Sequence, residues 1–145
     1  MIKKNTLLSA PLEIIQLEEN SYHVFLNARV NNKRVRLLID TGASKTIFDK
    51  TWLEKKVKPV IREHSIQASG INQNVSAIWQ TKIASLSFCK IEIVKRIFPV
   101  LDLTHVNENY RLSGNKPIHG ILGCDLLYEY KAIVNFQTQK IILQP

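Results

Sequence analysis

The chain has 145 residues, the usual size of one domain, and 45% of them are hydrophobic, too many for a disordered chain. Its formal charge is +8, but the cations are spread along the chain, without the aromatic interleaving that stacks bases. A solvated basic surface is the expectation, and nucleic acid is not an expected partner.

Read in order, residues 1–11 carry basic residues and only a two-leucine apolar piece, so a flexible arm is expected rather than a signal peptide. No apolar run approaches the ~18 residues that span a bilayer. A cytoplasmic location without membrane attachment is the corresponding expectation. Leu12 to Leu17 predicts a first strand, and Glu18 to Ser21 a polar turn. From Tyr22 to Val30 the pattern alternates, with Tyr22, Val24, Leu26, Ala28 and Val30 on one face and His23, Phe25, Asn27 and Arg29 on the other. Asn31-Asn32-Lys33 is a short turn, and Arg34 to Ile39 returns as the hairpin partner. Lys45 to Lys56, with Ile47, Phe48, Trp52 and Leu53, predicts a short helix capped by Asp49 and stopped by Pro59. Val60 to Ser65 and Val75 to Phe88 read as two strands around a polar, glycine-containing tip. Lys90 to Leu103 predicts a strand interrupted near Pro99, a residue that suits an edge or a bulge. Thr104 to Leu112 fits a helix or a loop, and Ser113 to Pro117 is a loop. A short strand (Ile118 to Leu122), a short helix (Gly123 to Tyr130) and a final hairpin (Ala132 to Phe136, Lys140 to Leu143) complete the chain. Short strands with one or two small helices predict an all-β, closed barrel-like fold in a single domain, 1–145.

Chemistry concentrates in Leu37-Leu38-Ile39-Asp40-Thr41-Gly42-Ala43-Ser44. A continuous apolar run marks a buried strand. It delivers Asp40 to the mouth of a core, a place where carboxylates are commonly functional. Gly42 permits a tight turn or close approach, and the Thr41 and Ser44 hydroxyls can bond to the loop backbone. As a bare tripeptide, Asp-Thr-Gly would be an ordinary turn. A second segment, Gly120-Ile121-Leu122-Gly123-Cys124-Asp125-Leu126-Leu127, alters that reading.

Together the two segments resemble the signature of retropepsin-like aspartic proteases, over roughly Tyr22 to Leu143. The resemblance implies a retropepsin-like barrel with Asp40 as the catalytic residue and Thr41, Gly42, Ala43 and Ser44 as its supporting loop. It implies Ile121, Leu122 and Gly123 packed beside that loop, and a substrate-binding flap at Ser69, Gly70 and Ile71. Retroviral members have Arg in place of Cys124 and Asp in place of Ser44, and those two groups pair with each other. Both are absent here, so the site is expected to be braced differently. Asp125 opens a helix, and the expectation for it is capping.

Such chemistry needs two carboxylates sharing a proton. The four aspartates are Asp40, Asp49, Asp102 and Asp125, and only Asp40 stands in an Asp-Thr-Gly turn. The expectation is therefore a homodimeric aspartic endopeptidase acting on a peptide or protein substrate, without metal or other cofactor. The alternative is a non-catalytic dimerisation or protein-interaction module of the same fold. Cys89 and Cys124 lack metal-ligand spacing and read as small buried side chains, with a disulfide left open. His23, His64, His105 and His119 are scattered and read as surface or satisfied polar residues.

Overall fold

The structure, a computed structural model, describes residues 6–64 and 78–145. The expected flap, Ser69 to Ile71, lies outside the described residues. The described residues form eleven strands: β1 (Leu8–Pro11), β2 (Glu13–Glu18), β3 (Ser21–Val30), β4 (Lys33–Ile39), β5 (Ile47–Asp49), β6 (Ile61–His64), β7 (Ile78–Phe88), β8 (Ile91–Leu101), β9 (Gly120–Leu122), β10 (Ile133–Asn135) and β11 (Lys140–Leu143). Helices are α1 (Lys50–Trp52), running into a π-helical turn at Leu53–Val57, then α2 (Thr104–Leu112) and α3 (Cys124–Glu129).

Eight strands form one sheet in the order β2-β3-β4-β9-β5-β8-β7-β6. A further pairing of β3 with β7 closes six of them, β3-β4-β9-β5-β8-β7, into a barrel. A three-stranded sheet, β1-β11-β10, stands beside it. The pairing of β4 with β9 is parallel, with Leu37 opposite Gly120, Leu38 opposite Ile121 and Ile39 opposite Leu122. That register brings the two motif segments side by side. Turn chemistry explains the sharp hairpins. Asn31 and Asn32 join β3 to β4 at φ 46° and 65°, values that Asn tolerates. Cys89 and Lys90 join β7 to β8 at φ 50° and 65°, which neither favours.

Two apolar clusters divide the molecule. The larger, inside the barrel, includes Leu26, Val30, Leu37, Phe48, Phe98 and Leu122. The smaller gathers Phe25, Ile47, Leu103, Tyr110 and Ile118, with Leu38 and Ile121 packed against it. This second cluster corrects the alternation expected for β3. Tyr22, placed with the buried set, is exposed, whereas Phe25, placed with the polar set, has no exposure. Packing on α2 buries the outer face of β3 at Phe25, whose ring meets Tyr110 edge-on at 5.7 Å.

Three further expectations change. Part of the expected N-terminal arm is strand: Leu8–Pro11 pairs with β11, and Leu8 and Ala10 pack on the core. The helix expected over Lys45 to Lys56 starts later, because Ile47–Asp49 is a strand between β9 and β8. Ile47 enters one cluster and Phe48 the other, so burial on both faces selects the extended form there. Asp49 does cap α1, accepting from the Trp52 N–H at 3.0 Å. Strand β8 runs unbroken through Pro99, which pairs with Gln80 of β7. The ladder to β5 begins only at Val100, so Pro99 lies where β8 has one partner. Neither cysteine is disulfide-bonded, and both are half-buried rather than buried.

Candidate active site

The Asp40 loop is held by β9 and α3. Its N–H donates to Leu122 O at 3.1 Å, continuing the parallel ladder one residue beyond β4. The Ala43 N–H donates to Asp40 O at 3.2 Å, and the Gly42 N–H donates to Asp40 Oδ1 at 2.8 Å. Gly42 does not use the left-handed backbone that would demand glycine; its contribution is this N–H, which orients the carboxylate. Asp40 itself is half-buried, and Thr41 and Gly42 are exposed.

From the other side, the Cys124 N–H donates to Ala43 O at 2.8 Å, and the Cys124 thiol lies 2.9 Å from Thr41 O. The Thr41 and Ser44 hydroxyls, expected to fix the loop, make no hydrogen bond among the described residues. The polar centre is Thr46, a residue absent from the motif. It is fully buried, and its Oγ1 donates to Asp125 Oδ1 at 2.7 Å while accepting from the Gly123 N–H at 3.0 Å. The same Asp125 oxygen accepts the Thr46 N–H at 2.8 Å and the Leu126 N–H at 2.9 Å. Asp125 therefore stitches the loop to α3 rather than only capping the helix. The one sequence signal for this is spacing, a threonine six residues after Asp40 and a carboxylate two after Gly123.

The glycines of the second segment are dictated by close approach. A Cβ on Gly123 would lie 2.5 Å from the Lys45 carbonyl, and one on Gly120 would lie 2.5 Å from Ile47 O. Ile121 and Leu122 flank these contacts as β9, Ile121 against the second cluster and Leu122 in the barrel core.

Upstream of Asp40, β4 is braced by a group the sequence does not reveal. Arg36, 6% exposed, binds Glu13 of β2 through two hydrogen bonds of 3.0 Å. A third bond reaches Lys116 O at 2.9 Å, and the guanidinium lies 3.6 Å from the Phe25 ring centroid. This pairing holds the Glu13 carboxyl below the usual carboxylate range. The Arg36 N–H donates to His119 Nδ1 at 3.0 Å, which places the ring proton on Nε2. Burial pushes the His119 pKa down; Asp49 opposes that shift and Arg36 adds to it. The ring stacks on Trp52 at 5.2 Å. Of the other histidines, His23 is satisfied by the Tyr110 hydroxyl at 2.6 Å.

Beside the loop, Leu38 precedes Asp40 by two residues and so shares its face of the strand. It lines a cavity of about 590 Å³ with Leu17, His23, Val106, Tyr110 and Leu112. The cavity is of mixed character, since Glu18, Ser21, Asn109 and Ser113 also line it, and Leu38 rather than Asp40 is the residue of the first motif segment that reaches it. Among the described residues no group of three or more His, Cys, Asp or Glu is placed to hold a metal ion. No helix among them is long and apolar enough to cross a membrane.

A family model described as aspartyl protease matches residues 26–126. No curated protein matches the chain. Among solved structures, a retropepsin-like aspartic protease from Rickettsia conorii superposes with a TM-score of 0.54 at 22% identity, covering 98% of this chain and 96% of that one. The retroviral protease-like domain of Ddi1 from Leishmania major gives 0.51 at 13% identity, covering 82% and 86%. Both are similar in fold.

Proposed function

The chain belongs to the aspartyl protease family, and from that premise we propose that it hydrolyses peptide bonds with water activated between two Asp40 carboxylates, one from each copy of a homodimer. The observation that carries this reading is the employment of the other three aspartates. Asp49 is buried and accepts from the Trp52 and Leu103 N–H groups. Asp102 accepts from the Thr104 N–H and hydroxyl. Asp125 is committed to Thr46. Only Asp40, half-buried beside the exposed Thr41 and Gly42, stands in an Asp-Thr-Gly turn, so in this reading one chain supplies half of a dyad.

In the dimer one carboxylate is ionised and its mate protonated, because two such groups in contact do not both ionise readily. The ionised group takes a proton from water as the water oxygen attacks the peptide carbonyl carbon. The protonated group hydrogen-bonds the carbonyl oxygen, and a proton then passes to the leaving nitrogen as the C–N bond breaks. Thr41, Gly42, Ala43 and Ser44 form the loop that presents Asp40, and Ile121 to Gly123 back it. Ser69, Gly70 and Ile71 are assigned to a flap over an extended substrate, whose alternating side chains enter apolar pockets.

The test compares wild type with Asp40→Asn on a proteome-derived peptide library. Asparagine keeps the shape but cannot accept the proton of water, so cleavage should vanish while the melting curve is retained. Undiminished cleavage by the purified variant would refute the assignment. A wild type that dimerises without cleaving any peptide would point to the non-catalytic module.

A further inference from the structure

At the end of the β3–β4 hairpin remote from Asp40, a groove of about 640 Å³ is lined by Arg29, Arg34, Lys90 and Lys116, with Asn27 and Ser87 between them. The four cations come from β3, β4, the β7–β8 turn and the loop before β9, so sequence alone does not bring them together. None of them belongs to an ion pair among the described residues. No carboxylate among the described residues lines the groove. Of the acidic groups nearby, Glu13 makes both of its hydrogen bonds to Arg36 and feels the Lys116 charge at longer range. Glu92, opposite Ser87 on β8, accepts from the Ser85 hydroxyl.

The fold brings these charges together against electrostatic preference. Arg29 and Arg34 are direct cross-strand partners, and like charges placed opposite each other destabilise a ladder. Lys90 occupies a left-handed turn position at φ 65°, which disfavours lysine. A concave surface focuses the potential of the charges lining it. Arginine adds planar N–H pairs matched to phosphate oxygens, and one Arg29 Nη is already positioned by the Asn32 carbonyl at 3.2 Å.

We propose that this groove binds a small polyanion of the phosphate class, with Arg29 and Arg34 as the bidentate contacts and Lys90 and Lys116 closing over its charge. The site is independent of the protease reading and survives if that reading fails. It lies about 20 Å along β4 from Asp40, at the ~3.3 Å rise per strand residue.

Pyrophosphate is the probe, titrated calorimetrically into the full chain at about 0.15 M ionic strength, where surface charges beyond about 8 Å are screened. The expected result is saturable binding of one pyrophosphate per chain. Arg34→Gln, and Arg29→Gln with Arg34→Gln, should each weaken it about tenfold or more. Lys55→Gln with Lys56→Gln lowers the net charge by the same two units at exposed positions on another element and should change binding less than about twofold. Folding is monitored by thermal melts. Arg34→Gln should melt no lower than wild type without anion, and pyrophosphate should raise the wild-type midpoint more than that of the variant. An absence of saturable binding, or equal loss in the Lys55/Lys56 control, would overturn the proposal. So would binding of a single-stranded oligonucleotide without binding of pyrophosphate.

Discussion

A single hydroxyl carries much of the connection between the Asp40 loop and α3. Thr46 Oγ1 is both donor to Asp125 and acceptor from Gly123, in a fully buried position. Thr46→Val keeps the branched shape but removes both hydroxyl bonds, leaving the buried Gly123 N–H without its partner while Asp125 Oδ1 keeps its two backbone N–H donors. The expected cost is about 1–3 kcal/mol, read as a lower midpoint in urea unfolding. Thr46→Ser should recover most of it, since the hydroxyl is retained. If valine and serine variants unfold alike, the hydroxyl bonds are not what holds the loop. Proteolytic activity should fall with valine more than stability alone explains, because the loop that presents Asp40 loses its inner anchor.

At the scale of elements, β2, β4 and β9 meet through Arg36, Glu13 and His119, and this junction should set the acid response of the fold. Both titrating partners have folded pKa values below their unfolded ones. For each, the stabilising contribution is fully present above the unfolded pKa and is lost as pH falls through the folded one. The His119 contribution should therefore begin to erode near pH 6.5, and the Glu13 contribution below about pH 4.5. Urea midpoints measured across pH should form a plateau above 6.5 and decline below it. His119→Asn keeps an acceptor for the Arg36 N–H but cannot titrate, so its decline should start at lower pH; an unchanged onset would remove His119 from the account. Glu13→Gln should cost about 1–2 kcal/mol, since Glu13 is partly exposed and water compensates Arg36 in part.

This junction also shows where local sequence signals stop. The β3–β4 hairpin, the segment ending at Asp40 and the β10–β11 hairpin are legible in the sequence, because period-two alternation and turn residues are local signals. The fold class follows from the two motif segments, which the β4–β9 register places together. Arg36 reads as part of a solvated basic run, although it is buried, because its partners lie 23 and 83 residues away. Phe25 and Ile47 are misplaced by pattern for a related reason: α2, ambiguous between helix and loop, creates the second cluster that buries them. Strand β1 is illegible because four residues paired only with the distant C-terminus carry little pattern of their own.

For the whole molecule, net charge governs association. Each copy carries +8, so two copies repel, and more strongly in acid as carboxylates and histidines gain protons. Added salt should screen that repulsion and strengthen the proposed dimer in sedimentation experiments. Peptidase rate should trace a bell on the acidic side of neutrality, since the proposed dyad would work with one proton. Asp40→Asn removes the repulsion between the two carboxylates and should dimerise at least as well as wild type at neutral pH. A dimer that salt dissolves, or an Asp40→Asn variant that stays monomeric where wild type pairs, would contradict this arrangement.

The barrel closes through very little. Only Arg29 with Ser87 and Val30 with Leu86 join β3 to β7, helped by Asn31, whose N–H donates to Ser85 O and whose side chain accepts from the Ser85 N–H. Without those pairs the remaining ladder still runs uninterrupted from β2 to β6, so the barrel is a long curled ribbon fastened by a short clasp. Undoing the clasp breaks no other strand pairing, and such an excursion should occur far more often than global unfolding. Amide exchange at Asn31 and Ser85, whose N–H groups bond across the clasp, should therefore be faster than at Leu26 or Leu37, and Asn31→Ala should widen the gap. An opened clasp bares the uncovered edges of β3 and β7, which fit each other, and in a crowded solution the matching edge of another copy serves as well. Slow conversion into exchanged oligomers on storage at high concentration is the expected liability of this fold.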